Sequence, residues 1–148
     1  MRISAKGRYA LAALIEIAKR SAMGKPVPLA SIAGNLNVSK IFLEQIASAL
    51  KKNDVITSHK GIQGGYRLTK EPRNITVLEA LQAVETALFE NIGDDALEGA
   101  PAVSSAISML VFKPLDIAVK ESLACVSIQD LVDYAQNQGE NQSFMLYI

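Results

Sequence analysis

The sequence predicts a mainly α-helical protein with one small β-hairpin, and two patterns carry that prediction. Two short segments with helical apolar spacing, residues 29–36 and 40–52, lie on either side of a turn at Asn37. Two strand-like segments, residues 55–58 and 66–68, follow with a glycine-rich stretch between them. This order is typical of a winged helix-turn-helix domain, a fold that reads DNA.

The amino-terminal segment predicts a further helix, over residues 7–22, where apolar residues recur at helical spacing. Basic residues before an apolar stretch are also typical of a signal peptide, but Glu16 interrupts the stretch and no small-residue cleavage site follows. We therefore interpret the segment as the first helix of a cytoplasmic protein. Near its start, Arg2, Lys6 and Arg8 are either phosphate contacts or ordinary solvated charges.

Opposite charges divide the chain into two halves. Residues 1–74 contain 13 Lys/Arg and 4 Asp/Glu, a net charge of +9, whereas residues 75–148 contain 2 and 11, a net charge of −9. A basic half indicates a surface for phosphate. Charge alone does not distinguish DNA, RNA and a protein partner.

The second helix of the turn motif is predicted to present side chains to DNA. Ser39 is a favourable N-cap for it. Gln45 can bond an adenine edge, and Glu44 can accept a hydrogen bond from a cytosine amino group. Phe42 either packs in the core or touches a thymine methyl group, and Lys52 suits backbone phosphate. The face opposite the apolar positions offers Lys40, Ile41, Glu44, Gln45 and Ser48.

The predicted hairpin loop, residues 59–65, is rich in glycine and basic at its start. Glycines such as Gly61 let the backbone approach a phosphate or a minor groove closely, and Lys60 suits either contact. His59 is interpreted as a wing contact or a bystander, because no second His or Cys lies at metal-ligand spacing.

The acidic half is predicted to hold the elements that pair two copies of the chain. A capping box, Thr76 with Glu79, opens a helix, and Ser127 caps a last one. Residues 102–124 are too apolar for a surface helix of a small monomer, so we expect a long dimerisation helix there. The predicted organisation is a DNA-binding domain (1–84), an acidic loop (85–101), the dimerisation and C-terminal helices (102–138) and a tail (139–148).

Several classes of protein are disfavoured. No run of about eighteen uncharged apolar residues occurs, so no membrane span is predicted. Cys125, the single cysteine, excludes an intramolecular disulfide, and we interpret it as a small buried residue near a helix end rather than a redox sensor. No catalytic triad, acid pair, metal cluster or phosphate loop is recognisable, so an enzyme is the least favoured class and no cofactor is expected.

Three stretches resemble the Rrf2 family of bacterial transcription regulators: MRISAKGRYAL, FLEQIASALKKNDVITSHKGIQGGYRL and the capped helix after them. The resemblance covers nearly the whole chain. It implies a winged helix-turn-helix domain, a long dimerisation helix and a homodimer on an imperfect palindrome of double-stranded DNA. The family's DNA-contacting positions fall on Arg2, Lys6, Arg8, Ser39, Phe42, Glu44, Gln45 and Lys60. To these the residue patterns add Lys40, Lys52, His59 and Gly61 as candidate DNA-binding residues.

The chain departs from part of the family and matches another part at its end. Cluster-binding members carry three closely spaced cysteines, whereas residues 85–112 have none, so no iron–sulfur cluster is expected. The final SFMLYI resembles the end of a cysteine-metabolism repressor of the family. Tyr147 and Ile148 would then bind cysteine synthase, which captures tails ending in isoleucine, or the tail folds back on the dimer. The hypotheses are therefore a dimeric repressor and a regulatory protein-interaction module.

Overall fold

The computed structural model describes residues 3–21, 24–90, 97 and 99–146. It is mainly helical with a two-stranded antiparallel hairpin, which confirms the predicted fold class. The amino-terminal elements are α1 (Ala5–Ser21), α2 (Leu29–Leu36), α3 (Lys40–Lys52), β1 (Ile56–His59), β2 (Gly65–Leu68) and α4 (Val77–Val84). The later elements are α5 (Thr86–Phe89), α6 (Pro101–Ile107), α7 (Lys113–Ala124) and α8 (Ile128–Leu146).

Helices α1 to α4 and the hairpin enclose one hydrophobic core. Its largest buried side chains come from every one of these elements or the segments beside them, and they include Leu14, Ile32, Leu43, Ile46, Leu50, Ile56, Ile75 and Leu81. Burial of such a side chain stabilises the fold by about 1.5–3 kcal/mol relative to exposure. The core therefore holds α3 against α1 and α2 and leaves its opposite side open.

Local signals define the turn between α2 and α3. Asn37 adopts the left-handed conformation, with a φ of 52°, and its backbone N–H donates to the carbonyls of Ala33 and Gly34. The Ser39 hydroxyl then accepts a hydrogen bond from the Phe42 N–H at 3.2 Å. The predicted turn and N-cap are confirmed, and α3 begins where the sequence placed it.

The wing is the hairpin of β1 and β2, and each strand extends one residue further into the predicted loop than expected. β1 runs over Ile56–His59, so His59 pairs with Gly65 inside the hairpin instead of lying in the loop. Val27 adds a bridge to Tyr66, with N–H to carbonyl bonds of 2.9 Å in both directions. A Cβ on Gly65 would lie 2.3 Å from the Val27 carbonyl oxygen, so this close approach requires glycine.

The capping box at the start of α4 is only half formed. The Thr76 hydroxyl accepts a hydrogen bond from the Glu79 N–H at 3.1 Å, as predicted. The Glu79 carboxylate instead pairs with the Lys70 ammonium group at 2.6 Å. The pair joins the end of the wing to α4.

The predicted acidic loop, residues 85–101, begins with a residue that belongs to the folded unit. Glu85 is 8% exposed and accepts hydrogen bonds from the Ser4 backbone N–H at 2.7 Å and the Ser4 hydroxyl at 2.5 Å. Residues 86–89 are helical rather than loop. Residues 91–96 and 98 lie outside the described residues.

Residues 101–124 form one continuous helix, here called the apolar helix, in which residues 108–112 have π-type hydrogen bonding. The π turn directly precedes Pro114, whose ring needs extra room in a helix, and no break follows. No side chain of this helix is buried. The exposed apolar side chains are Val103, Met109, Leu110, Val111, Phe112, Leu115 and Ile117.

The apolar helix also corrects the expectation that no segment could span a membrane. It is 24 residues long with a mean hydropathy of 1.5, enough to cross a bilayer by length and composition. Counting only uncharged runs missed it because Lys113 and Asp116 interrupt the segment. The finding concerns length and composition only, and helices of soluble proteins pass the same test.

Helix α8 docks the acidic half onto the basic half. Ile128 and Val132 are buried in the core described above, and the Ile128 N–H donates to the Ile75 carbonyl at 2.8 Å. At its start, the backbone N–H and hydroxyl of Ser127 donate to the Asp130 carboxylate and hold the pKa of that carboxyl below its ordinary value. The helix continues to Leu146, so residues 139–146, predicted as a tail, are helical.

Candidate nucleic-acid interface

Helix α3 presents one face to the core and the other to solvent. The buried face consists of Leu43, Ile46, Ala47 and Leu50. The solvent face, here called the exposed stripe, consists of Lys40, Ile41, Glu44, Gln45, Ser48, Lys51 and Lys52, all exposed. At 3.6 residues per turn, these positions fall within about 140° of the helix circumference. The exposed stripe thus lies on an α-helix, an element that the major groove of duplex DNA admits.

Two candidate DNA contacts pair with each other in the free protein. The Lys40 ammonium group lies 3.7 Å from the Glu44 carboxylate, one helical turn away, and both side chains are more than half exposed. Pairs of this kind stabilise a helix by only about 0.3–0.5 kcal/mol. The pair therefore adds little to the stability of the free protein, and both side chains remain open to solvent.

The structure assigns Phe42 to packing. Its ring meets the Tyr9 ring edge to face, with centroids 5.6 Å apart and planes at 88°, and it packs against the hydrophobic core. This contact favours the core reading of Phe42 over the thymine contact. Ile41, one residue earlier, projects from the helix and is 71% exposed. Ile41 thus lies on the outward face that the helical spacing predicts, although the sequence alone indicates no role for it.

The start of α1 is held close to α3. Tyr9, which packs on Phe42, follows Arg8, which is exposed, while Lys6 is half-buried. Gly7 allows the tight approach to Glu85, because a Cβ there would lie 2.3 Å from the Glu85 carboxylate oxygen. Arg2 lies outside the described residues. Of the predicted basic contacts in this region, Lys6 and Arg8 lie in the first turn of α1, which the Tyr9 ring holds against Phe42 of α3.

The tip of the wing is a second exposed projection. His59, Lys60 and Gly61 are exposed as predicted, and the Gly64 N–H closes a turn onto the Gly61 carbonyl at 3.0 Å. Gly61 has a φ of 116°, a conformation that only glycine adopts readily. Ile62, at the apex, is fully exposed, and the sequence reasoning did not identify it.

The basic side chains divide into paired and unpaired groups. Within residues 3–21, 24–90, 97 and 99–146, ion pairs engage Lys40, Lys70, Arg73 and Lys120. In the same part of the chain, no ion pair involves Lys6, Arg8, Lys52 or Lys60, and the same holds for Lys19, Arg20, Lys25, Lys51, Arg67 and Lys113. Unpaired cations are suited to replacing the counterions of a phosphate backbone.

Neither the one cysteine nor the one histidine belongs to a metal-binding cluster among the described residues. No group of three His, Cys, Asp or Glu side chains suited to a metal ion occurs there. Cys125 is exposed at the C-terminal end of α7, so the prediction that it is buried is wrong for the single chain. The reason is that α7 itself has no covering neighbour on its outer side.

Comparison with known sequences supports a single family. The Rrf2 family, described as an iron-dependent transcriptional regulator, matches residues 3–134. The transcriptional regulator CymR of Bacillus subtilis is 36% identical over the full length of both chains. The transcriptional regulator IscR of Photorhabdus laumondii is 33% identical over 90% of this chain and 80% of that protein.

Solved structures agree with the sequences. The structure of CymR, the global cysteine regulator of B. subtilis, aligns with a TM-score of 0.72 at 33% identity, over 90% of this chain and 98% of that one. The structure of IscR from T. potens aligns with a TM-score of 0.70 at 27% identity, over 91% and 88% of the two chains.

Proposed function

The chain belongs to the Rrf2 family of DNA-binding transcription regulators, and we propose that it is a cytoplasmic homodimeric repressor that binds an imperfect palindrome without an iron–sulfur cluster. The observation that carries the proposal is the exposed stripe of α3. Its side chains can read base edges, its opposite face is locked in the core, and unpaired cations and the wing flank it.

The apolar helix supports pairing with a second copy. Leu110 is 79% exposed, and six other large apolar side chains of the helix, Val103, Met109, Val111, Phe112, Leu115 and Ile117, are exposed as well. Monomeric soluble proteins rarely leave so large an apolar surface uncovered, and a partner helix from an identical chain would cover it symmetrically. A two-fold dimer would place two copies of α3 about 34 Å apart, in successive major grooves of one palindrome.

The residues present do not fit an iron–sulfur cluster of the usual kind. Such clusters are held by several cysteine thiolates, and this chain has Cys125 alone, exposed at the end of α7. Although the family is described as iron-dependent, we propose that this member binds DNA without iron. Anaerobic incubation with ferrous iron and sulfide should leave the visible absorption spectrum and the DNA affinity unchanged. A stable chromophore with a changed affinity would contradict the proposal.

The decisive experiment is binding-site selection from random duplex DNA, followed by fluorescence polarisation across a range of salt concentrations. We expect a palindromic site, and an affinity that falls linearly with salt on a double-logarithmic plot because released counterions drive binding. Recovery of no preferred site, or binding insensitive to salt, would refute a sequence-specific regulator.

Two variants separate the kinds of contact in that assay. Lys60→Ala should weaken binding to all sequences alike and lower the salt slope by about 1, since it removes a phosphate contact. Gln45→Ala should cost about 1–3 kcal/mol and relax the preference at one position of each half-site. Equal effects of both variants on all sequences would show that α3 does not read bases.

A second proposal concerns the C-terminal end. It rests on the final SFMLYI of the sequence, and it is that this tail meets a partner protein, such as cysteine synthase. Tyr147 and Ile148, the proposed contacts, lie outside the described residues. Deletion of these two residues should abolish binding to purified cysteine synthase and leave DNA binding intact. Unchanged binding to the enzyme would contradict this second proposal and would leave the proposal of a DNA-binding repressor unaffected.

A further inference from the structure

The exposed stripe of α3 contains one apolar side chain among polar ones. Ile41 lies one helical turn from both Glu44 and Gln45, the proposed base readers, and therefore on the same side of the helix. An exposed isoleucine at this point gives the free protein no packing, because the core face of α3 is on the opposite side.

The chemistry of the DNA major groove, which the exposed stripe of α3 is proposed to enter, limits what Ile41 can contact. Among the groups that base pairs present in the major groove, the thymine methyl is the apolar one, and the others are hydrogen-bond donors and acceptors. Residues at the N-terminal end of a recognition helix enter the groove most deeply, and Ile41 is the second residue of α3.

Phe42, the neighbouring apolar residue that could also contact a thymine methyl group, already packs within the protein. The Phe42 ring packs against Tyr9 and the core, so it cannot reach a base without breaking that contact. We infer that Ile41 is a specificity-determining residue that recognises the C5-methyl group of a thymine in each half-site. This inference rests on the proposed function. That thymine lies within one or two base pairs of the positions read by Glu44 and Gln45.

The test removes the methyl group from the DNA and its partner from the protein. In the selected palindrome, each thymine is replaced in turn by deoxyuridine, which keeps every hydrogen-bonding group and lacks only the methyl. For the wild-type protein, replacement at one position of each half-site should weaken binding about fourfold per half-site, or about fifteenfold in all. In Ile41→Ser the same replacement should have no effect, and Ile41→Val should keep most of it.

Matched controls make the result specific. Gln45→Ala should retain the full deoxyuridine effect, because it removes a different contact on the same face. Ile41→Ser should unfold at the same temperature as the wild type, since the replaced side chain is exposed. If every thymine replacement affects wild type and Ile41→Ser equally, the inference is overturned, although sequence-specific binding stands. If no site is selected at all, the proposed function fails first.

Discussion

The helices around the wing and the apolar helix use the same kinds of residue in opposite ways. In α1 to α4, the largest apolar side chains, such as Leu14, Ile32 and Leu43, are buried within one chain. In the apolar helix, similar side chains are exposed, and the exposed fraction of Leu110 is 79%. The first region thus covers most of its apolar surface within the chain, whereas the second leaves its apolar surface uncovered. From this difference we expect that the DNA-binding helices and the proposed dimer interface can be disrupted separately.

The largest effect is expected from Leu110→Asp in the apolar helix. A carboxylate buried without a partner in the proposed dimer interface costs several kcal/mol, so the dissociation constant of the dimer should rise by more than about 100-fold. Light scattering coupled to size exclusion should show monomers at micromolar concentration with an unchanged helical spectrum. The matched control is Gln82→Asp, on the exposed surface of α4, which should remain dimeric. A dimeric Leu110→Asp protein would place the interface elsewhere.

In the reading unit, Leu43→Ala should lower the free energy of unfolding by about 2–5 kcal/mol, because it leaves a cavity beneath α3. Urea denaturation measures the loss of free energy of unfolding. The same loss should appear when Leu43→Ala is combined with Leu110→Asp in a monomeric protein. Ile41→Ala, two residues away on the exposed face, serves as the control and should stay within about 0.5 kcal/mol of wild type. Similar losses of free energy of unfolding for both variants would contradict the assignment of Leu43 to a buried face of α3 and Ile41 to an exposed one.

The hydrogen bonds between Glu85, at the end of α4, and Ser4, before α1, have a smaller but more specific expected effect. Glu85→Ala leaves the Ser4 donors without their acceptor and should destabilise the protein by about 1–2 kcal/mol. DNA affinity should also fall, because the start of α1, with Lys6 and Arg8, loosens. Hydrogen exchange at the Gly7 amide and polarisation assays would record both effects. Glu90→Ala, at an exposed carboxylate, should change neither.

The smallest expected effect concerns the cap of α3. Ser39→Ala removes the hydrogen bond to the Phe42 N–H and should cost about 1 kcal/mol, whereas Ser39→Gly should cost only a few tenths. Thermal unfolding by calorimetry resolves the difference. If both variants lose more than 10-fold in DNA affinity at unchanged stability, Ser39 contacts DNA directly, as the family resemblance implies.

Elements with strong local signals were predicted well. The bounds of α2 and α3 match the sequence expectation, because a left-handed Asn37, an N-cap at Ser39 and a regular apolar spacing all act within a few residues. The bounds of the wing strands differ from the prediction by one residue, since β1 covers Ile56–His59 instead of 55–58 and β2 covers Gly65–Leu68 instead of 66–68. The end of a strand depends on pairing with the partner strand, which periodicity alone does not specify.

The sequence by itself determined the reading unit: its helices, its basic charge and the polar stripe that α3 presents. These follow from side-chain spacing and capping, which depend on neighbours along the chain. Only the tertiary structure decided that Phe42 packs on Tyr9 and leaves Ile41 outermost, that Glu85 ties down Ser4, and that α8 anchors the acidic half through Ile128. Each of these depends on a contact between residues distant in sequence, and burial is set by which distant surfaces meet.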